Sequence, residues 1–278
     1  MALRRIAAAA LCAAVATATG CSSGGPATRT ATAATARSQA AQPARQAMSL
    51  AASEAQRNTS FAATLQVRSM GSLATTLSGT LRMQLKPSLL ADQNFHVSAD
   101  GEALPGAVET LLTGTAAYLK MDTLARVLGK PWVKVSISGL RNAAGVNLIP
   151  LVQQVEGGNP LAQVQMFTAS SDVREVGSQV INGVATTEYT GSYRAAAGLG
   201  KLGPGLRPLV WPALKATGIS TTQFDVWIGS QHQVRKMILV QSGKSIRVTS
   251  VMVVTMINQP VGVQIPPASQ VADAPDIP

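Results

Sequence analysis

The sequence predicts an α+β protein with one large antiparallel sheet covered on one face by helices. Three observations carry the prediction. From Leu73 to Leu85, the residues Leu73, Thr75, Leu77, Gly79, Leu81, Met83 and Leu85 alternate with Ala74, Thr76, Ser78, Thr80, Arg82 and Gln84. A period of two over that length describes a long strand with one apolar and one wet face, on the order of 44 Å at about 3.4 Å per residue, and predicts a strongly curved sheet. Asn182-Gly183 lies between two strand-like runs and is a strong two-residue hairpin signal. Finally, strands and helices come in blocks without βαβ alternation, which excludes a parallel doubly wound sheet.

In chain order, Met48–Gln56 reads as a short helix and opens the folded body. Ser60 to Arg68 alternates as a strand, and a turn at Ser69–Ser72 leads into the long strand, which Pro87 ends. Leu89–Ala99 is the next strand. Ala107–Leu112 and Ala116–Met121 form a hairpin around Thr113-Gly114-Thr115. Asp122 caps a short helix over Thr123–Leu128, stopped by Gly129 and Pro131. Trp132–Ile137 returns to a strand. Asn147 opens a helix carrying Leu148, Leu151, Val152 and Val155 at helical spacing. Asn159-Pro160 is an N-cap followed by a first-turn proline, opening a helix over Leu161–Thr168. Val173–Ile181 and Val184–Tyr193 flank the Asn-Gly turn. Ala195–Gly218 is a looser helical stretch with Gly198, Gly200, Gly203, Pro208 and Pro212. Three strands follow, Thr221–Ile228, Val234–Gln241 and Ser245–Ile257. A proline-rich strap and a frayed tail begin at Pro266.

The N-terminus has its own logic. Met1 to Arg5 is basic, Ile6 to Ala18 is apolar, and Thr19-Gly20 precedes Cys21. This is the layout of a secretory signal over residues 1–20. The apolar run is shorter than the roughly 20 residues a spanning helix needs. Gly20-Cys21 resembles a bacterial lipobox, whose cysteine is acylated and becomes the mature N-terminus; the plainer reading is a cleaved signal with an incidental cysteine. Residues 21–47 are rich in Ala, Thr and Ser and poor in large side chains, so they read as a disordered tether between the lipidated cysteine and a domain over 48–278. The other cysteine, Cys12, lies within the signal. A mature chain therefore has no disulfide and no thiol chemistry beyond Cys21.

The net charge is +10 over 278 residues. That balance suits anionic head groups or wall polymers. Nucleic-acid binding is disfavoured, because there is no dense Lys/Arg cluster, aromatics are few, and the signal exports the chain. His96 and His232 stand in no metal-ligand spacing. The acids include no DxD or ExxE pair, and there is no GxSxG. Gly198-Leu199-Gly200-Lys201-Leu202-Gly203 matches GxGxxG, but a hairpin strand precedes it and prolines follow, so a flexible loop is the better reading. No catalytic residue, metal site or cofactor is expected, and the chain reads as a non-enzyme.

Several stretches resemble the LppX/LprG-type lipoproteins of actinobacteria. They are Ile181–Gly191, Asp225-Val226-Trp227-Ile228-Gly229 with Val234-Arg235-Lys236, Ala117–Met121, Trp132-Val133-Lys134 and Val263–Pro266, spread over most of Ser60–Val271. The resemblance implies a LolA-like single domain, a half-open antiparallel barrel whose concave face is covered by helices. Between sheet and helices it implies a hydrophobic cavity for the acyl chains of a lipid or lipoglycan, carried or presented in the envelope. Its family has no catalytic residues to transfer.

Pattern then nominates cavity positions. Leu73, Leu77, Leu81 and Met83 would form the floor, Leu148, Leu151, Val155, Val164 and Phe167 the roof, and Leu206, Leu209 and Leu214 a movable lip. The expected product is a monomeric lipoprotein held on the extracytoplasmic face of the cell membrane through acylated (palmitate-type) Cys21, with lipid as its partner. The second reading is an envelope sensor on the same fold, with a filled core and a protein partner.

Overall fold

The computed structural model describes residues 30–103, 105–136, 160–203 and 217–273, together with 207, 211 and 215. The expected helix around Leu148, Leu151 and Val155, the lip residues Leu206, Leu209 and Leu214, and Cys21 lie outside the described residues.

The strands form one large, mostly antiparallel sheet of thirteen among the described residues. They are β1 (Ser60–Met70), β2 (Thr75–Gln84), β3 (Leu90–Ala99), β4 (Glu102–Ala103), β5 (Val108–Thr113), β6 (Ala116–Lys120), β7 (Trp132–Ser136), β8 (Arg174–Ile181), β9 (Val184–Arg194), β10 (Thr221–Gly229), β11 (Val234–Ser242), β12 (Arg247–Ile257) and β13 (Val271–Asp273). Their order is β13-β7-β6-β5-β3-β2-β1-β12-β11-β10-β9-β8, with β4 beside β3. By its contacts the chain divides into two compact units. The first holds Asn58–Asn159 and Val251–Pro278, and the second holds Pro160–Ser250 and the segment ending at Arg57.

In the first unit, each strand pairs antiparallel with its neighbour through β1, β2, β3, β5, β6 and β7. The long alternating run is a ten-residue strand, shorter than its pattern, because Leu73 and Ala74 belong to the turn after β1. Gly79 is opposite Phe95, and a Cβ there would run into the Asn94 carbonyl and lie 2.7 Å from the Phe95 ring. Glycine is thus what lets the aromatic lie across β2. The expected frayed tail is partly structured: Val271–Asp273 pairs in parallel with Trp132–Lys134, and Lys130 Nζ donates to the Val271 carbonyl at 2.9 Å. Asp122 begins the short helix α2 (Asp122–Leu128), but Met121 occupies the N-cap position without a side-chain cap. The expected capping role passes from Asp122 to no side chain.

In the second unit, Asn182 (φ 48°) and Gly183 (φ 79°) make the tight turn between β8 and β9 that their residue types predict. The helix expected over Met48–Gln56 is longer. Helix α1 spans Thr30–Arg57, with Pro43 inside it. Ala44, Met48, Ala51 and Ala55 are buried on one face of it. Part of the expected tether, Thr30–Ala47, is therefore helical. Alanine and glutamine are good helix formers, and the small alanines let α1 lie close to its neighbours even without large apolar side chains. Leu161–Thr168 splits into a 3₁₀ turn (Pro160–Gln163) and helix α3 (Val164–Phe167). The expected glycine-rich loop begins as helix α4 (Ala195–Lys201). Gly198 fits there because a Cβ would meet the Tyr193 ring at 2.7 Å, so the glycine seats α4 directly on that ring.

Candidate functional site

The first unit carries a graded apolar surface. Strand register aligns four rows of side chains on one face of its sheet. Phe61, Met83, Ala91, Leu112 and Ala117 form one row, and Ala63, Leu81, Gln93, Thr110 and Leu119 the next. Leu65, Gly79, Phe95 and Val108 form the third, and Val67, Leu77 and Val97 the fourth. The first row is buried, and in the second only Gln93 and Leu119 are half-exposed. In the third and fourth rows Leu65, Val67, Leu77, Phe95, Val97 and Val108 are all half-buried. Burial thus falls off along the strands, and apart from Gln93 and Thr110 in the second row the rows are apolar. The opposite face is polar there, with Gln66, Arg68, Thr76, Ser78, Asn94 and His96. It carries two ionic cross-strand pairs, Arg82 with Asp92 and Lys120 with Glu109 at 2.8 Å. The sheet therefore distinguishes its two faces clearly.

The second unit is packed instead. Phe167 stacks on Phe224 with ring centroids 4.3 Å apart and planes 6° from parallel, and Tyr193 lies 6.1 Å from each ring. Burial pushes the Tyr193 phenol up to about 12. Along one flank of α1 runs a groove of about 490 Å³. Its walls are Pro43, Ala47 and Leu50 of α1, and Thr187, Tyr189 and Ile228 of β9 and β10.

The nominated positions fall into different surroundings. Leu77 is in the half-exposed part of the graded face, and Leu73 is half-buried in the turn leading to it. Leu81 and Met83 are at the buried end of the same face. Val164 and Phe167 are fully buried in the second unit, with Phe167 in its aromatic stack. Pattern reading missed Leu65, Val67, Phe95, Val97 and Val108. Alternation was visible in each strand, but only register shows that they share rows with Leu77 and Gly79. His96 and His232 are both exposed, and no cluster of three His, Cys, Asp or Glu able to hold a metal occurs among the described residues. None of their helices is long and apolar enough to cross a membrane.

No family model matches the chain. The uncharacterised 31.2 kDa protein of the rplA-rplJ intergenic region of Streptomyces griseus is 27% identical over 158 residues, which are 55% of this chain and 50% of that protein. The chain thus matches about half the length of that curated relative. Among solved structures, the lipoprotein LppX of Mycobacterium tuberculosis is similar over 80% of this chain and 100% of its own, at 19% identity and a TM-score of 0.44. LprF from Mycobacterium bovis is similar over 81% of this chain and 96% of its own, at 16% identity and a TM-score of 0.49. These belong to the lipoprotein type that the sequence resembles.

Proposed function

We propose that this chain is a membrane-anchored lipoprotein that binds the acyl chains of a lipid or lipoglycan for transport or presentation in the cell envelope. One observation carries the reading: the two rows of large apolar side chains, Leu65, Val67, Leu77, Phe95, Val97 and Val108, that the first unit leaves half-exposed beyond two mostly buried rows of the same face. Apolar patches of this continuity mark binding surfaces. Completing the burial of six such side chains is worth roughly 5–9 kcal/mol, taking half of the usual 1.5–3 for each. A 16-carbon chain gains roughly 13 kcal/mol on leaving water. Surface and ligand therefore each gain from the contact. In this reading residues 1–20 are removed as a signal, Cys21 is acylated, and the chain from there to α1 links the body to the membrane. The chemistry is binding without catalysis.

The test is native mass spectrometry of the full chain carrying Cys21→Ser, purified from a host with membranes. A co-purified lipid mass, lost on organic extraction, is expected. Leu77→Arg and Val97→Arg should abolish it while circular dichroism stays unchanged. If both folded variants keep the lipid, the ligand lies elsewhere, and the groove beside α1 becomes the next place to look.

One observation favours the second reading, a sensor or interaction lipoprotein. Strand β8 ends the sheet order, and its Val176 and Val180 are 55% and 65% exposed. An edge strand of this kind can take an added strand from a protein partner. A bare mass in the experiment above, together with a stable partner in a pull-down through β8, would decide for it.

A further inference from the structure

Helix α1 is flanked on its other side by a second cleft, of different chemistry. It has a volume of about 270 Å³, small for an acyl chain or a drug-sized ligand. Ser49 and Ser53 of α1 form one wall, Gln165 of α3 and Thr168 just after it another, and Lys201 of α4 the third. Among the described residues no carboxylate lines the cleft.

The hydrogen bonds already made there decide which groups are free. Thr168 Oγ1 donates to the Gln165 carbonyl at 2.6 Å, so its proton is used. Ser53 Oγ accepts from Arg57 Nη2 at 3.2 Å, which leaves the Ser53 proton free to donate and polarises it. Arg57 Nη1 is in turn held by Glu54 at 3.3 Å, so its charge is largely answered. Lys201 is not. It stands in the last turn of α4, where a cation would ordinarily serve the terminal carbonyls. Arg207 does that work instead, donating from Nε to the Leu202 carbonyl at 3.0 Å and from Nη2 to the Gly200 carbonyl at 2.7 Å. No ion pair involves Lys201 among the described residues. Among the described residues the cleft therefore presents one ammonium without an ion-pair partner, with hydroxyl and amide donors on facing walls.

We infer that this cleft binds a phosphoryl group. A tetrahedral anion offers acceptor oxygens in several directions, which matches donors on three walls better than a planar carboxylate does. The group could be carried by a phospholipid head or be free phosphate, and both share this recognition chemistry. The inference does not rest on the acyl-chain reading.

The experiment uses the full chain carrying Cys21→Ser. Inorganic phosphate is titrated calorimetrically, and phosphatidylcholine vesicles with and without phosphatidylglycerol are tested as competitors. Saturable phosphate binding is expected, weakened about tenfold by Lys201→Gln and retained by Lys201→Arg. Competition by phosphatidylglycerol vesicles alone would identify a lipid head group, and its absence free phosphate. Lack of phosphate binding, or equal binding by a folded Lys201→Gln variant, would overturn the inference. Leu77→Arg should leave phosphate binding unchanged whatever it does to lipid retention, so the two proposals fail separately.

Discussion

Asp172 shows how much structure a single side chain can organise. Its Oδ1 accepts from Ser170 Oγ at 2.7 Å and from the Ser192 backbone N–H at 2.8 Å, and its Oδ2 accepts from Ser192 Oγ at 2.7 Å. The turn after α3 is thereby fastened to β9. Partial burial works against the charged form, but the bonds from Ser192 and Ser170 outweigh it and hold the carboxyl below its ordinary 3.8. A lowered folded-state value means stability that is fully present above pH 3.8 and is lost as pH falls through the folded value. Asp172→Asn should thus cost about 1 kcal/mol at neutral pH and nearly nothing in strong acid. Urea melts at a series of pH values check this, and parallel curves for the two proteins would refute it. Next to it, Gly191 is opposite Phe224, and an added Cβ would lie 2.8 Å from both Phe224 Cζ and Ser170 Oγ. Gly191→Ala should therefore lower stability by about 1–3 kcal/mol, read as a drop in thermal midpoint.

At the scale of elements, legibility followed the strength of local signals. Strands β8 and β9 were readable because Asn182-Gly183 fixes turn and register together. Strand β2 was readable from its alternation, though not where it ends, since the same pattern continues through the turn residues Leu73 and Ala74. Helix α1 was half-hidden. Its buried face is mostly alanine, which carries almost no hydrophobic contrast, and Pro43 argues against a helix until Ala44 is seen to be buried. Helix α4 was hidden for the opposite reason: Gly198 weakens the local signal, and only the Tyr193 ring explains it. The apolar rows were legible strand by strand but not as a surface, because rows exist only once strands are paired. One prediction belongs here. A body beginning at Met48 removes buried Ala44 with Pro43 and Ala47, and should melt about 2–4 °C below one beginning at Gln42. Equal melting would mean that the helix upstream of Met48 contributes nothing to the fold.

For the molecule as a whole, the proposed anchoring rests on one atom, the Cys21 sulfur. Metabolic labelling with palmitate should mark the wild-type chain and not Cys21→Ser, and the variant should appear in the soluble fraction; label on the variant would contradict the lipobox reading. The sheet order has a further consequence. Strand β1 neighbours β12, and their junction is pinned across the chain: the Thr59 N–H donates to Asn258 Oδ1 at 2.8 Å, Ser60 Oγ donates to the Gln259 carbonyl at 2.6 Å, and the Asn258 N–H donates to the Ser60 carbonyl at 2.9 Å. Residues 199 positions apart must meet before the first strand is covered on both edges. Such a chain folds slowly, and it cannot complete its sheet until nearly all of it has been synthesised. Under the export proposed above, the chain is threaded unfolded through a narrow channel, and that delay would be useful. The last strands arrive late, so an exported chain would stay loose enough to be translocated, and its sheet would close only on the far side.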